Sequence, residues 1–310
     1  LDNTQLKQLG AERAKLLILG SDDDGANLQT ALNAREIWDS TNGSDDYGPT
    51  CLVQIRDGRF LTLLYERLKG EGEFADSRIR TINVYQNAAR IMFGRNFLEP
   101  KPIKPGDATR VNLYVFGFGA MGEEVVLQAA RIAHFANEKP LRIRVIDENA
   151  ARLADRFRLR YPAFDQIAEI EFFPNAFEDA DVLEILKARA SEDDWETMAV
   201  LCGDDSTQNL SLAFSLHEHF RDTRTRVVSY LDADWSFLEG ESALLDGQKP
   251  LRFGLYDGIR GWRINAVEKM DELAQAVHIN YLRTRKSTNM AHPQLPEKLW
   301  ASIDPLLKAS

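Results

Sequence analysis

From Val111 onward, short apolar runs alternate with longer stretches that carry apolar residues at helical spacing. VNLYVF (111–116), LRIRVID (141–147), EIEFF (169–173), TMAVLCG (197–203) and TRVVSYL (225–231) read as strands. Between them EEVVLQAARIAHFA, ENAARLADRFRLRY, DADVLEILKARA and STQNLSLAFSLHEHF read as helices; the first carries Val125, Ala129, Ile132 and Ala136 on one face. A strand joined to the next by a helix needs a right-handed crossover, and crossovers pair strands in parallel. The expected fold class is therefore α/β: a doubly wound parallel sheet of Rossmann type.

The N-terminal part is related to this block. KLLILGSDDDGANLQTALNARE aligns with TMAVLCGDDSTQNLSLAFSLHE so that Asp22, Asp23, Asn27 and Leu28 fall on Asp204, Asp205, Asn209 and Leu210, a constant offset of 182. Further on, CLVQIRDGRF matches RVVSYLDADW, with Asp57 opposite Asp232. Only the second half of the repeating unit occurs twice, so one complete domain follows a half-domain. A half-unit presents an open sheet edge, and the expectation is that its missing half lies upstream of Leu1 rather than on another chain. FLEPKPIKPGDAT, with three prolines and no periodicity, reads as the join.

Gly117, Gly119 and Gly122 separate the first strand of the complete domain from its helix, with the spacing G-x-G-x-x-G. In that context Gly117 allows a tight turn, Gly119 lets a pyrophosphate approach the backbone and Gly122 permits close helix–strand packing. Asp147, 25 residues beyond Gly122, ends the next strand and is placed to accept hydrogen bonds from ribose hydroxyls. No arginine occupies the two positions after it, so NAD(H), ADP or ATP rank above NADP. The alternative is a turn whose glycines serve packing and which binds nothing. Glu123 and Glu124 suit a helix N-terminus electrostatically. The acidic turns GSDDDGAN and CGDDSTQN serve either as helix caps or as ligand- or ion-facing groups.

A net charge of -10 argues against nucleic acid or an anionic membrane surface as the main partner. No apolar run is long enough to span a bilayer, and CxxC, HExxH, GxxxxGK[ST] and GxSxG are all missing. Cys51 and Cys202 lie in strand-like runs and read as buried reduced thiols. The five histidines, His134, His217, His219, His278 and His292, accompany no recognisable second catalytic group. The expectation is a sensor and not an enzyme, with no catalytic residues and no metal site; an NAD-dependent oxidoreductase and a soluble nucleotide-sensing module without a pore are the alternatives.

GFGAMGEEV, VIDEN, CGDDSTQNLSLA and LGSDDDGANLQTALNAREI together resemble the RCK (regulator of potassium conductance) domains, also called Trk-type NAD-binding domains, over roughly residues 14–270. The resemblance implies that Gly117, Phe118, Gly119, Ala120, Met121 and Gly122 cradle phosphates. It implies that Asp147, with Glu148 beside it, holds the ribose, and that Cys202, Gly203 and Asp204 form the far side of the cleft. Where such domains carry a Gly-Asp-Ala-like turn at the adenine, this chain has Asn175 and Ala176. The implied divisions are 1–104 (half-domain), 105–270 (complete nucleotide-binding domain) and 271–310 (helix and arm). The implied partners are an adenine nucleotide, a membrane-embedded channel or transporter part on the same or a separate chain, and further copies in a homo-oligomer at the cytoplasmic face. The tail faintly resembles the opening of a ryanodine-receptor-type repeat module at Leu273, Ala274, His278 and Tyr281; an amphipathic helix with an extended arm is the alternative.

Overall fold

The computed structural model describes residues 2–42, 50–57, 60, 79–176, 195–220, 223–232 and 250–255. It divides into two compact units, Leu1–Tyr85 and Gln86–Ser310.

In the first unit, α1 (Asn3–Gln8) starts at a capping box: Asp2 accepts the Gln5 backbone N–H and the Gln5 side chain accepts that of Asp2. β1 (Leu16–Leu19), α2 (Asp24–Asn42), β2 (Thr50–Gln54) and β3 (Ile79–Ile82) follow. The strands pair in parallel in the order β1-β2-β3. α1 and α2 bury Leu6, Ala31, Ala34 and Ile37 against Cys51, Val53 and Ile55. β1 is an edge strand: Ile18 is 65% exposed. Its equivalent at the offset of 182, Val200, is 0% exposed because its strand sits inside a sheet.

The boundary between the units falls within α3 (Val84–Arg95). The second unit then runs β4 (Arg110–Phe116), α4 (Ala120–Ile132), β5 (Arg142–Ile146), α5 (Ala150–Arg160), β6 (Glu169–Phe173), β7 (Trp195–Leu201), α6 (Ser206–His219), β8 (Thr225–Leu231) and β9 (Leu251–Gly254). The six strands are parallel in the order β6-β5-β4-β7-β8-β9. The chain winds outward from β4, then returns to lay β7 beside it and winds the other way. That reversal opens a crevice at the carboxyl ends of β4 and β7, the place where open α/β sheets bind ligands. β4 and β7 are covered on both faces, which explains their near-continuous apolar sequence. Ala213 and Leu216 of α6, with Phe220 at its C-cap, pack on Tyr114, Phe116, Leu201 and Val227.

The α/β doubly wound architecture is the expected one. EIEFF and TRVVSYL form strands over the residues read from sequence. The first helix ends at Ile132, not Ala136: the chain leaves helical geometry at Ala133 (φ -82, ψ 60), so His134 lies beyond it. β3 and β9 are additional strands, and with them the duplicated half-unit becomes three parallel strands, β1-β2-β3 and β7-β8-β9. DADVLEILKARA and the tail, including His278 and His292, lie outside the described residues.

Candidate functional site

The turns after β4, β5 and β7 meet at the crevice. The Gly117 N–H donates to Ile146 O at 2.9 Å and the Cys202 N–H to Phe116 O at 2.6 Å, so the strand ends stay in register where the chain departs. Gly117 has φ +87, and a Cβ there would lie 2.8 Å from the Gly203 nitrogen; both facts require glycine. Gly122 faces inward: a Cβ on it would come within 2.1 Å of Gly117 O. Between them, Gly119 is the N-cap of α4 and offers no side chain to cap it. The first N–H groups of a helix have no partner within the helix, and the helix dipole makes that end positive. Here that end opens on the crevice.

The Asp147 carboxylate braces the turn. Oδ2 accepts the Phe118 N–H at 2.9 Å and Oδ1 accepts the Asn149 N–H at 2.8 Å. The Phe118 ring turns into the core, edge-on to Phe157 and Phe172 at centroid distances of 5.4 and 5.2 Å. α4 is tied to α5 by Glu123, which meets Arg160 at 2.8 Å and Arg156 at 3.4 Å and accepts the Tyr161 hydroxyl at 3.2 Å. Burial, reinforced by the Glu123 carboxylate, pushes the Tyr161 phenol up. Glu123 thus holds two helices together.

On the far side, Asn209 clamps the β7 turn. Its Oδ1 accepts the Gly203 N–H at 3.0 Å, and its Nδ2 donates to Gly203 O at 2.8 Å and to Tyr230 O at 3.2 Å. Asn27 does the same in the first unit, bonding both backbone groups of Ser21 and Gln54 O. Asp205 caps α6 by accepting the Thr207 and Gln208 N–H groups; Asp23 accepts the Ala26 N–H. In each acidic turn, then, the second aspartate and the asparagine are structural. Burial raises the Cys202 thiol, which stays protonated.

These turns enclose an open cleft of about 450 Å³, within the size range of small-molecule sites. Of the residues expected from sequence, Gly117, Phe118, Gly119, Asp147, Glu148, Cys202, Gly203 and Asp204 line it. Ala120, Met121 and Gly122 form the first turn of α4 behind the lining, with Met121 buried. Asn175 does not line the cleft; its N–H donates to Phe173 O, and Ala176 faces the cleft instead. Asn149, Asp205 and Gln208 line it as well. Gln208 was legible in principle, since it stands in the first turn of α6, just past the Asp204–Asp205 turn. His134, His217 and His219 are not on the lining. Among the described residues, no cluster suits a metal ion and no helix is long and apolar enough to cross a membrane.

No family model matches the chain, and no curated protein matches it. Among solved structures it is similar to that of GsuK bound to ADP, at 14% identity and a TM-score of 0.50, over 83% of this chain and 52% of that one. A dipicolinate synthase chain from Bacillus halodurans aligns at 13% identity over 70% of this chain and 63% of its own length, with a TM-score of 0.28. The chain spans about half the length of the GsuK chain. The likeness to GsuK agrees with the strand order: the chain has a Rossmann-like α/β fold.

Proposed function

We propose that this chain is a nucleotide-binding regulatory region. An adenine nucleotide, NAD(H) first and ADP or ATP after it, places its phosphates at the Gly117–Gly122 turn and its ribose on Asp147. The observation that carries this reading is the uncapped N-terminus of α4 opening on the cleft beside Asp147, at the point where the strand order reverses. A shared fold with GsuK, whose structure holds ADP, supports it. The regulated element in this reading is a cation channel or transporter, potassium foremost, in a homo-oligomer at the cytoplasmic face. Binding acts by differential affinity for two arrangements of paired domains, shifting a population without chemistry.

Calorimetric titration with NAD+, NADH, ADP and ATP tests the site. Binding by the wild type, lost in Gly119→Asp and weakened in Asp147→Ala, is the expected result. No binding, or equal binding by both variants, overturns it. Steady consumption of NADH with a small carbonyl substrate would replace regulation with oxidoreductase chemistry.

A further inference from the structure

Four carboxylates, Asp147, Glu148, Asp204 and Asp205, stand on the cleft lining, and none of its described residues is cationic. Two of the four are engaged with the backbone and two are not. Asp147 and Asp205 are engaged with backbone N–H groups. Glu148 follows Asp147 at the ribose end. Like Glu148, Asp204 is exposed and makes no hydrogen bond or ion pair with the described residues. Its Oδ1 lies 3.4 Å from the position a Cβ on Gly119 would take, so its charge sits at the mouth of the phosphate cradle.

The internal repeat supplies a control. Asp22 occupies the equivalent position in the first unit, and there the Arg56 guanidinium pairs with it. Arg56 immediately precedes Asp57, the counterpart of Asp232; the residue preceding Asp232 is Leu231, buried in the core. The matching aspartate is thus ion-paired in the first unit, while Asp204 stands on the cleft lining with no cation beside it among the described residues. An unopposed carboxylate beside a helix N-terminus lowers the attraction of that site for anions, more steeply for each added ligand charge.

We infer that Asp204 is a specificity-determining residue: it selects against added phosphate charge and so favours a dinucleotide, whose bridged diphosphate carries less charge, over nucleoside di- and triphosphates. The inference rests on the nucleotide reading given above. Asp204 acts through space on the ligand and contributes nothing to folding that Asn could not supply.

The test is calorimetric titration of the chain with NAD+, AMP, ADP and ATP in EDTA, at low and at moderate salt, for wild type, Asp204→Asn and Asp22→Asn. In the wild type, affinity falls along AMP, ADP, ATP, and NAD+ binds more tightly than ATP. Asp204→Asn raises affinity by about fivefold for each charge by which ATP exceeds AMP, the value of a unit charge pair near 4 Å in water-like surroundings. Added salt shrinks the wild-type discrimination, and Asp22→Asn changes nothing. An ATP-to-AMP ratio that is the same in wild type and Asp204→Asn overturns the filter while leaving the nucleotide site standing. No binding of any of the four overturns both.

Discussion

The Asp147 carboxylate holds the glycine turn closed, accepting the Phe118 backbone N–H at 2.9 Å from the neighbouring strand end. A residue read from sequence as a ribose ligand thus has a folding task of its own. Asp147→Ala leaves two backbone donors without their acceptor and costs about 1–3 kcal/mol, visible as a lower urea midpoint. The ribose role is separated by comparing ADP with 2′,3′-dideoxy-ADP. Asp147→Ala is expected to weaken ADP binding more than dideoxy-ADP binding, and equal losses would confine Asp147 to bracing the turn.

Two glycines of one motif are predicted to fail differently. A Cβ at position 122 meets a backbone carbonyl at 2.1 Å, and backbone cannot yield as a flexible side chain does. Gly122→Ala is expected to cost about 3 kcal/mol by overpacking. At Gly119 the nearest atom would be 3.4 Å away, so Gly119→Ala costs under about 1 kcal/mol, mostly as a poorer N-cap. Denaturation curves of the two variants distinguish packing from ligand access, since only Gly119→Ala leaves a folded protein with a narrowed cleft.

Asn209→Ala and Asn27→Ala are expected to be comparably destabilising, by about 2–3 kcal/mol each, because each removes bonds to three backbone groups at a strand-end turn. Neither asparagine is on the cleft lining, so affinity measured on the protein still folded should change little. A large affinity loss in Asn209→Ala with an unchanged denaturation midpoint would contradict the clamp.

The repeated Asp-Asp-x-x-x-Asn pattern shows how far sequence reasoning reaches. Its recurrence at a fixed offset identified the strand-turn-helix units, because their local pattern and capping chemistry are written in neighbouring residues. What each member does was not legible. Asp205 and Asp204 are adjacent and alike in type and both reach the cleft lining, yet only Asp205 caps the helix, a difference set by backbone direction after β7. β3 and β9 escaped for a related reason: each has four residues, IRTI and LRFG, and gains its strand character from parallel partners far away in the chain. Asn175 was placed by analogy with a turn whose course depends on β6, and the structure turns its neighbour Ala176 to the cleft.

Alkaline pH should weaken the fold. Burial raises the Cys202 thiol from its ordinary 9.0, and burial with the Glu123 carboxylate raises the Tyr161 phenol from 10.0. Above about pH 9 the unfolded chain gives up these protons while the native chain keeps them. The native state then binds more protons than the unfolded state, so stability falls as pH rises. It is fully present below the unfolded values and is lost progressively above them. Urea midpoints measured from neutral pH upward should therefore decline from about pH 9. Cys202→Ala lowers stability at neutral pH by leaving a cavity, yet its alkaline slope should be shallower than that of the wild type. Tyr161→Phe should flatten the slope further along the pH scale. A thiol reagent provides the independent check: native Cys202 should label far more slowly than in urea, and equal labelling rates would remove the buried thiol as the cause.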